Sequence, residues 1–185
     1  MPHPKILDQS NCALVVIDVQ EAFRNVIPEF SNMVPRISTA IGGFQLLDIP
    51  ILVTEQYPKG LGPTAEEIAL SLPDDLERIE KTAFSAGASE AFRKRLDGRD
   101  VSQVVLCGVE THVCVNQTAH DLLDAGFEVH ILTDCVASRF DHDKEAGLSK
   151  MYASGVEPSS VEMALFELMR GSSHEKFKEI QALIK

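Results

Sequence analysis

The stretch "VSQVVLCGVETHVCVNQTAHDLLDAGFEVHILTD", residues 101–134, predicts a strand, a helix and a second strand in succession. Both ends are short apolar runs, and the segment between them places Val115 and Ala119 on one face of a helix that Gly126 ends. Such a unit is typical of two parallel strands joined by a crossover helix. Cys114 lies where the first strand gives way to the helix, so its thiol is either a small packing group or a nucleophile on a helix start.

The same alternation extends over the rest of the chain and predicts the fold class. Further strands are predicted in residues 13–18, 49–56 and 77–82. Further helices are predicted in residues 31–48, 88–100, 141–155 and 172–185. Residues 156–168 are predicted to begin as a strand and to continue as a helix. Strands that alternate with helices of about 10–15 residues indicate a parallel sheet covered on both faces. With right-handed crossovers, this predicts a doubly wound α/β three-layer sandwich. Without an internal repeat or a linker, residues 1–185 are expected to form one domain.

Charge and apolar patterning narrow the choice of partners. The chain has 28 acidic and 17 basic residues and a formal net charge of −11, which disfavours nucleic acid and anionic membrane surfaces as main partners. Its start, "MPHPKILDQSNCALVVIDV", has no basic region followed by a long apolar run. No apolar stretch approaches the roughly 18 residues needed to cross a bilayer. We therefore expect a cytoplasmic protein without membrane contact, with a mitochondrial or nuclear address left open.

Three reactive side chains follow predicted strands. Asp18 ends the first strand, Lys81 follows the third, and Cys114 lies in the turn after the fourth. Each has an ordinary explanation alone, as a cap, a solvated cation or a buried thiol, but doubly wound sheets bind ligands beyond the carboxyl ends of their strands. The three are therefore expected to converge on one crevice. A helix start and a neighbouring cation both lower a thiol pKa, so we expect the pKa of Cys114 to lie below that of a free thiol, with Asp18 as general base.

Four segments in order carry a family resemblance: "VVIDVQEAF", "TEQYPKGLGPT", "EKTAFSA" and "LCGVETHVCVNQTAHDLLDAGFEVHILTDCVASR". Together they resemble the isochorismatase-like cysteine hydrolase family, in particular its isochorismatase domain-containing members. The resemblance implies a six-stranded parallel sheet in the order 3-2-1-4-5-6 and a catalytic triad of Asp18, Lys81 and Cys114. Because this family often forms dimers or tetramers, a homo-oligomer is expected.

The resemblance also assigns the turn before Cys114. It implies a non-proline cis peptide bond between Val109 and Glu110. The backbone N–H groups of Cys114 and of Glu110, or its neighbour Thr111, would then stabilise an oxyanion.

Five further side chains are candidates for contact with a substrate. The strand ends are flanked by Gln20, Phe23, Tyr57 and Phe84, which could form a wall for substrate, although ordinary packing explains each of them equally well. His112 lies two residues before Cys114, a spacing at which helical side chains diverge, so it is expected to line the entrance or to be solvated.

Departures from the family pattern narrow the chemistry. The nicotinamidase branch binds zinc through an Asp and two His residues after the second strand, but "TEQYPKGLGPT" contains no histidine, so neither a metal nor another cofactor is expected. Isochorismatases that hydrolyse a vinyl ether lack the nucleophilic cysteine, so Cys114 favours acyl chemistry on a small amide-like substrate with a C–N bond. Two alternatives stay open: a binding or scaffold protein that keeps the fold without turnover, and a hydrolase of vinyl ethers or other small molecules.

Overall fold

The computed structural model describes residues 3, 5–98 and 100–185. Within them, one sheet contains six strands: β1 (Cys12–Ile17), β2 (Ile51–Gln56), β3 (Ile79–Lys81), β4 (Gln103–Val109), β5 (Glu128–Ala137) and β6 (Glu157–Ser159). All neighbours in the sheet pair in parallel, in the order β3-β2-β1-β4-β5-β6. The predicted fold class and strand order are therefore confirmed.

Helices cover both faces of this sheet. They are α1 (Phe30–Leu46), α2 (Pro58–Leu61), α3 (Glu66–Ser71), α4 (Glu90–Asp97), α5 (Asn116–Asp124), α6 (Asp141–Ala153), α7 (Val161–Met169) and α8 (Phe177–Ile184). One face packs against α1, α3, α7 and α8, and the other packs against α4, α5 and α6. No helix in the described part of the chain is long and apolar enough to cross a membrane.

The central strands explain why the sheet forms from this sequence. Every residue of β1 and β4 is buried. In β1, Leu14 and Val16 pack into the core on one face, whereas Val15 and Ile17 pack into the core on the other. A strand covered on both faces needs a continuous apolar run rather than an alternating one, which is the pattern of "ALVVI". The carboxyl ends of β1 and β4 consequently lie side by side at one edge of the sheet.

The helix predicted in residues 88–100 is present as α4, whereas two short helices were not predicted. The Ser89 side chain caps α4 by accepting a hydrogen bond from the Phe92 N–H group, and Gly98 follows the last residue of the helix. The first of the two short helices is α2, which begins with Pro58 at a position where the missing N–H group costs nothing. The following α3 has only six residues, too few for a helical period to show in the sequence.

Candidate active site at the carboxyl ends of the strands

Asp18 lies directly after β1 and is fully buried. Its backbone has a φ of 51°, in the left-handed region that Asp tolerates better than most residues. The Thr54 hydroxyl donates a hydrogen bond of 2.7 Å to Oδ1 of Asp18, and the Asp18 N–H group donates to the Thr54 carbonyl at 3.1 Å. The tight turn and the neighbouring strand therefore fix the direction of the carboxylate.

Lys81 ends the edge strand β3, yet its side chain reaches Asp18 across the end of β2. Its Nζ lies 2.7 Å from Oδ2 of Asp18, and both side chains are only 1% exposed. The same ammonium group donates to Oε1 of Gln56 at 2.7 Å and to the carbonyl of Phe84 at 2.9 Å. These three partners account for all three ammonium protons. Asp18 and Lys81 thus form a buried ion pair that is held from several sides.

Cys114 lies in a π-helical turn, Thr111–Val115, that leads into α5. The turn is closed by the N–H groups of Val113 and Val115, which both donate to the carbonyl of Glu110, at 3.1 and 3.2 Å. Single π-helical turns of this kind are frequent at functional sites. The turn leaves Cys114 7% exposed, with its thiol facing Asp18.

The expected lowering of the Cys114 pKa is wrong. Burial first, and then the negative charge of Asp18, raise the pKa of this thiol, and the positive charge of Lys81 lowers it without compensating; the net result is a pKa of about 12. Desolvation disfavours the thiolate, and Lys81 is already neutralised by Asp18. Cys114 is therefore a neutral thiol at pH 7 in the resting protein.

The turn residues before Cys114 are fixed by contacts with β5 and its loop. The peptide bond between Val109 and Glu110 is cis, as the resemblance implies. Oε1 of Glu110 accepts hydrogen bonds from the backbone N–H group and from Nε of Arg139, at 3.1 and 2.9 Å. The Thr111 hydroxyl is buried and has no hydrogen-bond partner among the described residues. The Glu110 side chain thus anchors the turn to the loop after β5.

The predicted substrate-contact residues divide into two groups. Tyr57 and Phe84 are 55% and 54% exposed, respectively, and Tyr57 lines a cavity of about 450 Å³ together with Lys81. Phe23, in contrast, packs against the hydrophobic core. Gln20 is fully buried, and its amide is bonded to backbone groups. Of these four residues, Tyr57 and Phe84 are therefore the two that present an aromatic surface to solvent beside the ion pair.

His112 forms polar contacts with the residue that follows β5 and with α6. Its Nδ1 lies 3.0 Å from the Ser138 hydroxyl, and its Nε2 lies 3.8 Å from a carboxylate oxygen of Asp143. The imidazole is thus partly buried between the turn and the start of α6. Among the described residues, no group of three or more His, Cys, Asp or Glu side chains could hold a metal ion.

Two residues at the carboxyl end of β2 were missed by the sequence interpretation. Thr54 binds Asp18, and Gln56 binds Lys81. The signal was present, because β2 was predicted as a buried strand beside β1, and its last residues had to reach the same edge of the sheet as Asp18. A polar side chain ending the strand next to a candidate catalytic carboxylate is a reason to assign it to the site.

Comparisons with known proteins identify the family of the chain. Residues 12–163 match the isochorismatase domain family. The chain is 41% identical over 182 residues to isochorismatase domain-containing protein 2A of Mus musculus, covering 98% of this chain and 85% of that protein. The solved structure of MAR1 ribonuclease from Caenorhabditis elegans is 37% identical and has a TM-score of 0.92, covering 97% of this chain and 92% of that one. A more distant structure, the YcaC gene product of Escherichia coli, is described as an octameric hydrolase of unknown specificity; it shares the fold with a TM-score of 0.88 at 21% identity, covering 100% of this chain and 91% of that one. From its sequence, its sheet order and these relatives, the chain belongs to the isochorismatase family of hydrolases.

Proposed function

We propose that this protein is a metal-independent cysteine hydrolase that cleaves the C–N bond of a small amide-like substrate through a thioester on Cys114. One observation carries the proposal: a buried carboxylate–ammonium pair, 2.7 Å apart, faces a thiol in a turn at the carboxyl edge of the sheet. A buried ion pair costs desolvation energy and is poor support for stability alone. A role in catalysis would explain why the protein keeps this ion pair despite the desolvation energy that it costs.

The first half-reaction acylates the enzyme. The sulfur of Cys114 attacks the carbonyl carbon of the substrate, and the thiol proton passes to Asp18 as the S–C bond forms. The carbonyl oxygen becomes an oxyanion, for which we assign the backbone N–H groups of Cys114 and of Glu110 or Thr111 as donors. When the C–N bond breaks, Asp18 gives the proton to the leaving nitrogen, and the amine departs.

The second half-reaction releases the acid. Water attacks the thioester carbon, and Asp18 accepts a proton from that water. The C–S bond then breaks, the sulfur regains a proton from Asp18, and the carboxylic acid leaves. Lys81 holds Asp18 in place by their hydrogen bond while the proton moves between carboxylate, sulfur and nitrogen.

The raised pKa of Cys114 shapes this mechanism. A thiol whose pKa is about 12 does not supply a preformed thiolate at pH 7. Deprotonation must accompany the attack on the carbonyl, and we assign Asp18, whose charge already acts on the thiol, as the proton acceptor. This protects the resting protein from indiscriminate alkylation, because the thiolate forms only when a carbonyl is in place.

Exposed aromatic groups support a substrate of modest size. Tyr57 and Phe84 flank Lys81, and the adjoining cavity of about 450 Å³ falls within the usual range for small-molecule sites. We assign Tyr57 and Phe84 to the wall of the substrate site. The MAR1 relative is named a ribonuclease, but the charge of −11 on this chain opposes binding of a polyanion, which favours the small substrate.

The assembly is also a proposal. We propose a homo-oligomer, a dimer or a tetramer, in line with the exposed apolar groups at the site edge and with the description of the YcaC gene product as octameric. Light scattering of the purified protein at two concentrations tests this, and a monomer at both would refute it.

Acyl capture tests the function. The native protein is incubated with p-nitrophenyl acetate and with a panel of small amides, and the peptide that carries Cys114 is examined by mass spectrometry. We expect a transient acyl group on Cys114 and release of p-nitrophenol. Cys114→Ser keeps the shape of the side chain but not the sulfur and should lose both signals.

Two outcomes would separate the alternatives. Absence of any acyl group on Cys114 in the native protein would refute the thioester mechanism and favour a scaffold that binds without turnover. Turnover of a vinyl ether that survives Cys114→Ser would favour the vinyl-ether alternative.

A further inference from the structure

The amide of Gln56 is oriented so that only its oxygen can face Lys81. Oε1 lies 2.7 Å from Nζ of Lys81, and Nε2 donates a hydrogen bond of 2.8 Å to the carbonyl of Thr82. A carbonyl accepts and does not donate, so the NH₂ group must point to Thr82 and the oxygen to the ammonium. Gln56 is therefore a directed acceptor for Lys81.

Gln20 holds Gln56 from the opposite side. Its Oε1 accepts from the Gln56 N–H group at 2.7 Å, and its Nε2 donates to the Gln56 carbonyl at 3.0 Å. The side chain of Gln20 thus makes the two hydrogen bonds that a neighbouring strand would make. Nε2 also donates to the carbonyl of Gly62 at 2.7 Å, and Gln20 forms an isolated antiparallel bridge with Thr64. The end of β2 is in this way tied to the loop that follows it.

The Lys81 ammonium depends on this arrangement for its direction. Lysine carries its charge on a flexible four-carbon stem. Of its three closest acceptors, Asp18 is the proposed proton acceptor and Phe84 contributes a backbone carbonyl, which leaves Gln56 as the neutral side chain that restricts the stem. Loss of this acceptor would allow the ammonium to swing away from Asp18.

We propose that Gln56 is a positioning residue that aims the Lys81 ammonium at Asp18, and that Gln20 keeps Gln56 in place. This inference rests on the proposed function, because its consequence is measured as acyl transfer to Cys114. Gln56 does not touch the reacting atoms and acts through Lys81. Displacements of about 1 Å in such constellations reduce rates by up to about a hundredfold.

The first experiment compares Gln56→Met with a matched control, Gln45→Met. Gln45 lies on α1, and its Nε2 donates one hydrogen bond of 3.1 Å to the Ser71 carbonyl, so the control also removes a partly buried glutamine amide. The rate of Cys114 acylation by p-nitrophenyl acetate is measured with the thermal unfolding of each variant. We expect Gln56→Met to acylate about ten- to a hundredfold more slowly and Gln45→Met to match the native protein.

A double-mutant cycle then tests the route of the effect. Because Gln56 acts through Lys81, Gln56→Met should add no further loss in a Lys81→Met background, whereas independent roles would multiply the two losses. If Lys81→Met does not fold, Gln56→Glu replaces it. That variant keeps the shape but adds a negative charge beside Lys81, and it should move the pH midpoint of Cys114 acylation upward while Gln45→Glu leaves it unchanged.

The outcomes separate the two proposals. A native protein that acylates Cys114, together with a Gln56→Met variant as fast as Gln45→Met, overturns the positioning role and leaves the proposed function intact. Multiplying losses, or an unchanged midpoint in Gln56→Glu, also overturn it. A native protein that forms no acyl group overturns the proposed function, and this inference falls with it.

Discussion

Replacement of Asp18 by Asn isolates the cost of the buried charge at the site. The change removes the negative charge 2.7 Å from Nζ of Lys81 and leaves a single carbonyl oxygen. Thr54 and Lys81 bind different oxygens of Asp18, so the amide NH₂ group of the variant must face one of these two donors. Both side chains of the pair are 1% exposed, so water cannot replace the lost charge. Breaking a buried pair on one side typically costs about 3–5 kcal/mol. Since Gln56 and the Phe84 carbonyl still bind Lys81, we expect the lower end, about 3 kcal/mol.

Thermal unfolding measures this loss. For a chain of this length, about 3 kcal/mol corresponds to a fall in Tm of about 6–12 °C. The double variant Asp18→Asn/Lys81→Met carries no buried charge at either position and should be more stable than Asp18→Asn alone. Glu29→Gln is the control, because its pair with Lys144 is partly exposed and should contribute no more than about 1 kcal/mol. An Asp18→Asn variant that unfolds with the control, or a double variant less stable than the single one, would refute the reasoning.

Three more predictions concern stability, reactivity and pH. Gly108→Ala would place a methyl group against the Ile17 backbone, at a φ of +114° that disfavours any residue with a side chain. We expect the free energy of unfolding, measured with urea, to decrease by more than about 4 kcal/mol. A decrease of less than about 1 kcal/mol would contradict the close approach of β1 and β4. Because the pKa of Cys114 is raised to about 12, chiefly by burial, the rate of its alkylation by iodoacetamide should be low at pH 7 and should still increase with pH at pH 10. The rate should be lower in Lys81→Met, which lacks the positive charge that favours the thiolate. A rate that reaches a plateau below about pH 8.5 would show a preformed thiolate. Burial lowers the pKa of His130, so the unfolded chain binds a proton on this imidazole more tightly than the folded protein does. The free energy of unfolding should therefore decrease as the pH falls below about 6.5. The plot of urea midpoint against pH should be flatter in this range for His130→Leu, and identical plots for the two proteins would exclude the effect.

The sheet could be predicted because its signals are local and repeated. The continuous apolar run of β1 predicts one strand, and the regular alternation of such strands with helices then leaves few possible topologies. Because ligands bind at the carboxyl ends of the strands in doubly wound sheets, Asp18, Lys81 and Cys114 are predicted to lie at one edge of the sheet. The structure places Asp18 and Lys81 in contact there. Their catalytic role remains a prediction.

Properties that depend on depth and direction could not be predicted in this way. The sign of the Cys114 pKa shift results from a balance of burial, Asp18 and Lys81, and sequence spacing reports none of the three distances. For Gln20 the sequence left substrate contact and ordinary packing equally open, and the path of the loop after β1 turns its amide onto the backbone of Gln56. In both cases the sequence predicted that the residue lies at the edge of the sheet, but it did not predict the burial and the contacts of the side chain there.

The role proposed for Lys81, which lies on β3, has a consequence for how this protein would lose activity. β3 has only three residues and lies at the edge of the sheet, paired with β2 alone, whereas β1 and β4 are central. Edge segments with few backbone hydrogen bonds open at lower free energy than the core of a domain. On warming, the amides of residues 79–81 should therefore exchange with deuterium before those of β1, and inactivation should precede melting. Anchoring this short strand would extend the working temperature of the protein even where its melting temperature stays the same.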